Sequence, residues 1–216
     1  MDHQPRPAGR PEKRRRDRLI RWAATHPDWA LGFEDETWWS RLARPALHAW
    51  AEPGQPLRLV EQAVAKDDPD PKALACYGLF LPAIDEVWLR FVDSRPVSAR
   101  TTQFLAWCCD RLAAQGKTAL LLVWDNAGWH ISREVHAWLR EHTRQVRRAG
   151  TGVRLLACPL PSHSPWLNPI EPKWVHAKRR VVEPDRLLPA RDLAARACVA
   201  LGCPYEEHLA RPKQVA

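Results

Sequence analysis

A chain of 216 residues, 45% hydrophobic and 27% charged, has the composition of one globular domain with tails and is long enough to bury a core. No apolar run approaches the roughly 20 residues a membrane helix needs, and the basic, polar N-terminus is not a secretory signal; membrane and secreted classes are set aside and a cytoplasmic setting is the default. The net charge of +8 and the pI near 9.5 favour a polyanionic partner, because lysines and arginines that neutralise phosphates release condensed counterions.

The charge is uneven. Residues 1–21 hold Arg6, Arg10, Lys13, Arg14, Arg15, Arg16, Arg18 and Arg21 against Asp2, Glu12 and Asp17. Such a segment is either a solvated tail or a nucleic-acid arm. The six cysteines form no C-x-x-C pair, and several sit in apolar runs, so they read as small buried hydrophobes. Cys203 with His208 lacks the paired spacing of a zinc site. Most of the twelve tryptophans are assigned to the core, with one or two left to stack on bases.

In chain order, residues 1–12 are rich in Pro, Arg and Gly and are predicted disordered, and 13–25 form a basic helix. Residues 30–39 predict a strand that ends on acidic groups. Residues 45–62 alternate short apolar pieces with Pro and Gly, as strands of a meander do, and 66–72 is a polar loop. Runs at 73–80 and 87–92 predict a hairpin joined through 82–86. The texture then changes. Residues 101–116 have helical spacing, with Gly116 suited to the C-cap. Ala119–Trp124 is a six-residue apolar run typical of a strand buried on both faces. Ser132 is placed to cap a helix through about Arg148, with Val135, Trp138, Leu139 and Val146 turned inward. A second buried strand is predicted at 153–158, and a proline-rich loop at 159–169. Helices at 171–180 and 190–201 follow, with Pro172 tolerated in a first turn. The sum is an α/β fold, a mixed β-sheet flanked by α-helices.

Asp125 follows the buried run directly, where open sheets place their ligand sites. The alternative is a turn-initiating Asp before Asn126-Ala127-Gly128. Asp35 and Glu36 close the first strand; adjacent carboxylates point to opposite faces, so at most one enters a shared site. Glu171 closes a rigid loop running into a helix, where an acid also offsets the helix dipole. Together the three positions suit phosphodiester chemistry, which uses two hard cations held by carboxylates. Lys173, Lys178, Arg179 and Arg180 follow the third acid and are candidates to grip phosphates, the alternative being a solvated helix face.

The segments Asp35-Glu36, Val123-Trp124-Asp125-Asn126-Ala127-Gly128-Trp129-His130 and Ser164-Pro165-Trp166-Leu167-Asn168-Pro169-Ile170-Glu171, with Trp174 three residues on, resemble bacterial insertion-sequence transposases of the mariner superfamily, insertion sequence 630 type. The resemblance implies an RNase H-like fold with a DDE site. It assigns Asp35, Asp125 and Glu171 as catalytic, metal-binding acids for Mg²⁺ or Mn²⁺, and Glu36, Asn126, His130 and Asn168 as lining or supporting residues. It implies double-stranded DNA, both transposon ends and target, as partner, and a homodimer as the working assembly. The expected layout is a basic segment at 1–29, the catalytic domain at 30–210 and a tail at 211–216. Two features depart from the family. Positions 126–170, between the second and third acids, make a longer interval than is typical, attributed to 141–152. About thirty residues before the first strand are too few for the family's helix-turn-helix modules. A separately encoded DNA-binding half, or a truncated copy, is therefore expected. The rival expectations are an inactive DNA-binding remnant and a stand-alone RNase H-like nuclease.

Overall fold

The computed structural model describes residues 10–41, 65–92, 95–161, 164–181 and 187–209. Helix α1 (Arg10–Ala24) is followed by strand β1 (Trp29–Ser40), then by the hairpin of β2 (Ala73–Leu81) and β3 (Glu86–Val92). After it come α2 (Ser98–Ala114), β4 (Ala119–Trp124), α3 (Arg133–Ala149), β5 (Arg154–Pro159), a short 3₁₀ turn at Pro165–Leu167, α4 (Ile170–Val181) and α5 (Ala190–Leu201). The strands form one mixed sheet in the order β3-β2-β1-β4-β5. The β1–β2 and β2–β3 pairs are antiparallel; β1–β4 and β4–β5 are parallel.

The pattern of each element explains its place. All six residues of β4 are buried, because parallel neighbours flank it and helices cover both faces. One face packs on α1, α4 and α5 through Phe33, Trp39, Cys76, Val123, Trp174 and Ala194. The other packs on α2 and α3 through Tyr77, Leu79, Phe104, Leu120, Leu122 and Val135. Each such fully buried side chain contributes roughly 1.5–3 kcal/mol. Ser132 caps α3 by accepting from the Val135 amide, and Val135 and Leu139 are buried, with Trp138 packed against the same core.

Three expectations are corrected. The strand bearing Asp35 does not end there: it continues to Ser40, and it is β4 that stops at this level, its last pair with β1 being Phe33 with Val123. The strand near 153–158 is not buried on both faces. As β5 it lies at the sheet edge with a single neighbour, so it is only partly covered. Helix α2 takes Gln115 as its C-cap, and Gly116 follows it with φ 74°, a left-handed conformation that costs a glycine little. The meander expected at 45–62 and the tail at 211–216 lie outside the described residues.

Candidate active site

Because β1 outruns β4, Asp35 stands mid-strand but beside the open carboxyl end of β4, where Asp125 begins the following loop. Asp35 shares its sheet face with α4, whose first turn carries Glu171. Across the β1–β2 pair, Asp35 faces Gly78. A Cβ there would lie 2.3 Å from Trp174 Cη2 and 3.1 Å from Ile170 Cδ1. The missing side chain thus lets the Trp174 indole lie against the sheet, where its Nε1 donates to Asp35 Oδ2 at 2.9 Å. Trp39 meets the same indole edge-on at 6.4 Å between centroids.

The acids on this face feel one another. Burial, then Glu171, then Glu36 push the Asp35 carboxyl up to about 7, with Asp125 adding to the shift and the Trp174 hydrogen bond opposing it. Burial raises Glu171, Lys178 opposes this, and Asp125 raises it further. Asp125 runs the other way: its hydrogen bond from His130 holds it below the ordinary value, against the opposing effect of burial. Its Oδ1 accepts from His130 Nδ1 and from the Ala127 amide, both at 2.8 Å. Among the described residues, the remaining oxygens of Asp35 and Asp125, and both of Glu171, have no hydrogen-bond or ion-pair partner. Crowded carboxylates with unshared oxygens fit a hard divalent cation.

The opposite face of β1 is arranged differently. Glu34 and Glu36 point into the α2/α3 side, and His130 stands between them. Its Nε2 hydrogen-bonds Glu36 Oε1 at 3.1 Å and lies 3.1 Å from Glu34 Oε2 in an ion-pair contact without hydrogen-bond alignment. Trp129 Nε1 also donates to Glu36 Oε1, at 2.6 Å, and Trp124 stacks on the His130 ring at 4.5 Å. Burial alone would depress this imidazole. The charge of Glu34 and the hydrogen bonds with Asp125 and Glu36 override it and hold His130 well above its ordinary value. Burial first, then the charge of Glu36, holds Glu34 above the carboxylate range.

Glu34, Glu36 and His130 place one ligand atom each within 4.8 Å of one another, the tightest such group among the described residues. Both ring nitrogens of His130 are already engaged, Nδ1 by Asp125 and Nε2 by Glu36, and Trp129 Nε1 holds the same Glu36 oxygen, so the polar atoms of the group are turned on one another. This group is therefore a closed internal ion cluster, and Asp125 is its outlet to the site.

The other predicted residues divide. Asn168, buried, donates to the Glu34 carbonyl at 3.0 Å, just past the last β1–β4 pair, and so ties the loop before α4 to β1. Asn126 donates to the Leu160 carbonyl at 2.7 Å, bracing the loop after β4. Lys173 pairs with Asp85 at 2.6 Å and lies over the Phe80 ring, so its charge is engaged on the hairpin side. Lys178 lies near Glu171 and over Trp39, and Arg179 and Arg180 are exposed. Sequence reasoning missed Glu34 and left Trp174 and Gly78 without a role. Strand alternation marks Glu34 as sharing the Glu36 face, but nothing local says that a histidine meets them there. Trp166, on the loop before α4, is 76% exposed.

An antiparallel β3-β2-β1 unit continued by parallel β4 and β5, with helices on both faces, is the RNase H-like architecture. The family profile described as DDE superfamily endonuclease matches residues 31–193, and the chain belongs to that family. The fold is similar to the catalytic domain of Mos1 mariner transposase, with a TM-score of 0.58 at 14% identity, covering 94% of this chain and 85% of that one. It is also similar to the Mos1 transposase paired-end complex with left transposon end (TM-score 0.64, 15% identity, 94% of this chain and 57% of that chain). The Mos1 mariner paired-end complex with Mn gives a TM-score of 0.63 at 15% identity, covering 94% and 56%. At these identities the likeness is one of fold, and the chain spans a little over half the length of the transposase in those complexes. No curated protein sequence matches this chain.

Proposed function

We propose that this chain is the catalytic domain of a DNA transposase, cutting phosphodiesters at an element's ends and joining the released 3′ ends to target DNA. Asp35, Asp125 and Glu171 are its catalytic, metal-holding acids. What supports the reading is that acids on β1 (Asp35), directly after β4 (Asp125) and in the first turn of α4 (Glu171) lie toward the open end of β4, and that among the described residues each keeps an oxygen without a hydrogen-bond or ion-pair partner. Phosphodiester cleavage and transfer use a pair of hard cations, and Mg²⁺ or Mn²⁺ is the expected pair here. Asp35, Asp125 and Glu171 would hold such ions, which would supply activation of a water and stabilisation of the attacking and leaving oxygens.

The chain's own residues have distinct tasks in this reading. Trp174 fixes one oxygen of Asp35 and leaves the other directed at the site. His130 and the Ala127 amide orient Asp125. Asn168 holds the loop that delivers Glu171, and Arg179 and Arg180 meet phosphates beside it. Residues 30–210 form the catalytic unit, with the basic 1–29 segment as a DNA-contacting arm. Duplex DNA, as ends and as target, is the substrate, as in the complexes of similar fold. A helix-turn-helix half supplied by another chain and a homodimeric assembly complete the expected system. No described helix is long and apolar enough to cross a membrane, and a cytoplasmic setting accords with a DNA substrate.

The test is nicking of supercoiled plasmid in Mn²⁺ by the chain, by Asp35→Asn and Asp125→Asn, and by the chain in EDTA. Only the first should nick, and the variants should fall at least about a hundredfold, the scale of removing a group aimed at transition-state charge. Undiminished cutting by either variant would remove that acid from the site. Joined products in a strand-transfer assay separate a transposase from a nuclease that only cuts.

A further inference from the structure

The face of α3 beside the sheet edge carries a charge pattern that the acid site does not use. The helix holds five arginines against Glu134 and Glu141. Arg140, Arg144, Arg147 and Arg148 fall at helical spacings of three and four, so they share one side. They line a groove of about 600 Å³ floored by Leu155 and Ala157 of β5. A second cavity of about 420 Å³ continues it, sharing Arg147 and adding Lys117 and Arg154. Neither is lined by an Asp or Glu. Arg144 pairs with Glu141, Lys117 donates to the Pro27 carbonyl and Arg154 lies over the Trp29 ring. Arg140, Arg147 and Arg148 are exposed and have no carboxylate partner among the described residues.

The floor matters as much as the wall. β5 is an edge strand, and the outward backbone groups of Leu155 are both met by Thr143 Oγ1, at 3.4 Å each. Backbone polar groups alternate sides along a strand, so those of Ala157 face the groove too. That puts the Ala157 N–H, with its carbonyl, on the side of the guanidinium groups. The direction of the groove is also informative. β5 ends at Pro159, paired with Trp124 immediately before Asp125, so the strand that floors the groove runs toward the end of the sheet that carries Asp125.

We propose that this groove binds the phosphate backbone of duplex DNA outside the scissile position, as a second DNA contact distinct from the α4 cations. Guanidinium forks and a backbone N–H are suited to phosphate, and a wall without carboxylates removes the repulsion a polyanion would otherwise meet. The proposal rests on the reading of the chain as an enzyme of DNA.

The experiment is fluorescence anisotropy of a labelled 30-base-pair duplex of arbitrary sequence with the full chain and with Arg140→Gln/Arg147→Gln/Arg148→Gln, over a salt series. Circular dichroism confirms the fold of the variant, and plasmid nicking is measured in parallel. Each phosphate contact contributes about 0.9 to the slope of log K against log salt. The variant should therefore lose roughly 2–3 in slope and bind about tenfold more weakly or worse. Its nicking at saturating DNA should be unchanged and its KM raised. An unchanged slope, with the wild type still nicking, overturns the groove proposal and leaves the transposase reading standing. A change of oligomeric state on light scattering with the slope unchanged assigns the groove to a second copy of the chain, and equally overturns it. A wild type that does not bind duplex DNA removes both.

Discussion

The two faces of β1 carry neighbouring carboxylates with opposite fates. Glu34 and Glu36 are closed in by α2 and α3 and share one histidine, His130, whose Nε2 lies 3.1 Å from a carboxylate oxygen of each. Asp35, one residue away on the other face, meets Glu171 and Asp125, with only an indole N–H for company. The difference shows how a fold separates support from chemistry. The closed face is a strut that ends on Asp125 Oδ1, whereas on the open face Glu171 and Asp125 raise the Asp35 carboxyl. His130 belongs to the strut and reaches the site only through Asp125.

The comparison breaks most visibly if the strut is cut. His130→Ala leaves buried carboxylates without their counter-charge, a change that costs about 3–5 kcal/mol. Urea unfolding should show that loss, and adding Glu34→Gln should recover part of it. A stability change below about 1 kcal/mol would mean that the ion cluster is not balanced as described.

On the open face the expected effects are smaller in stability and larger in chemistry. Gly78→Ala drives a methyl into the Trp174 ring, an overpacking that costs about 1–3 kcal/mol, and it displaces the donor to Asp35. Trp174→Phe keeps most of the packing but removes that donor. Loss of a partner that orients a metal ligand typically costs about 10–100-fold in metal affinity or activity. The Mn²⁺ concentration for half-maximal nicking should rise on that scale in both variants. An unaltered Mn²⁺ dependence in Trp174→Phe would reduce the indole to packing.

The comparison is also sharpened by a pH dependence without metal. Unfolded, Asp35 ionises near 3.8; folded, it keeps its proton to about 7. Between those values the folded state binds more protons, so stability falls as pH rises. The raised Glu34 and His130 act in the same direction, and the lowered Asp125 acts oppositely only below its ordinary 3.8. The metal-free chain should therefore melt at a lower temperature at pH 8 than at pH 5. Mn²⁺ at a hundred times its Kd stabilises by about 2.7 kcal/mol and should restore more at pH 8, where Asp35 is ionised, than at pH 5. A flat profile in both conditions would count against the crowded face.

Much of this was legible in the chain. The unbroken run Ala119–Trp124 is typical of a strand covered on both sides, and the acid after it lies where a sheet opens. Ser132 announced the start of α3, and the alternation of a strand already required Asp35 and Glu36 to part. These are local properties, set by periodicity and by which backbone groups a side chain can satisfy. The sequence could not say that β4 stops short of Asp35, which turns a mid-strand residue into a site residue. Nor could it say that β5 lies at the edge, or that His130 reaches back to β1. Gly78 became meaningful only when Trp174 was laid over it. Strand order, strand length relative to a neighbour and the partner of a buried charge all depend on contacts between residues far apart in the chain, and tertiary packing alone decides them.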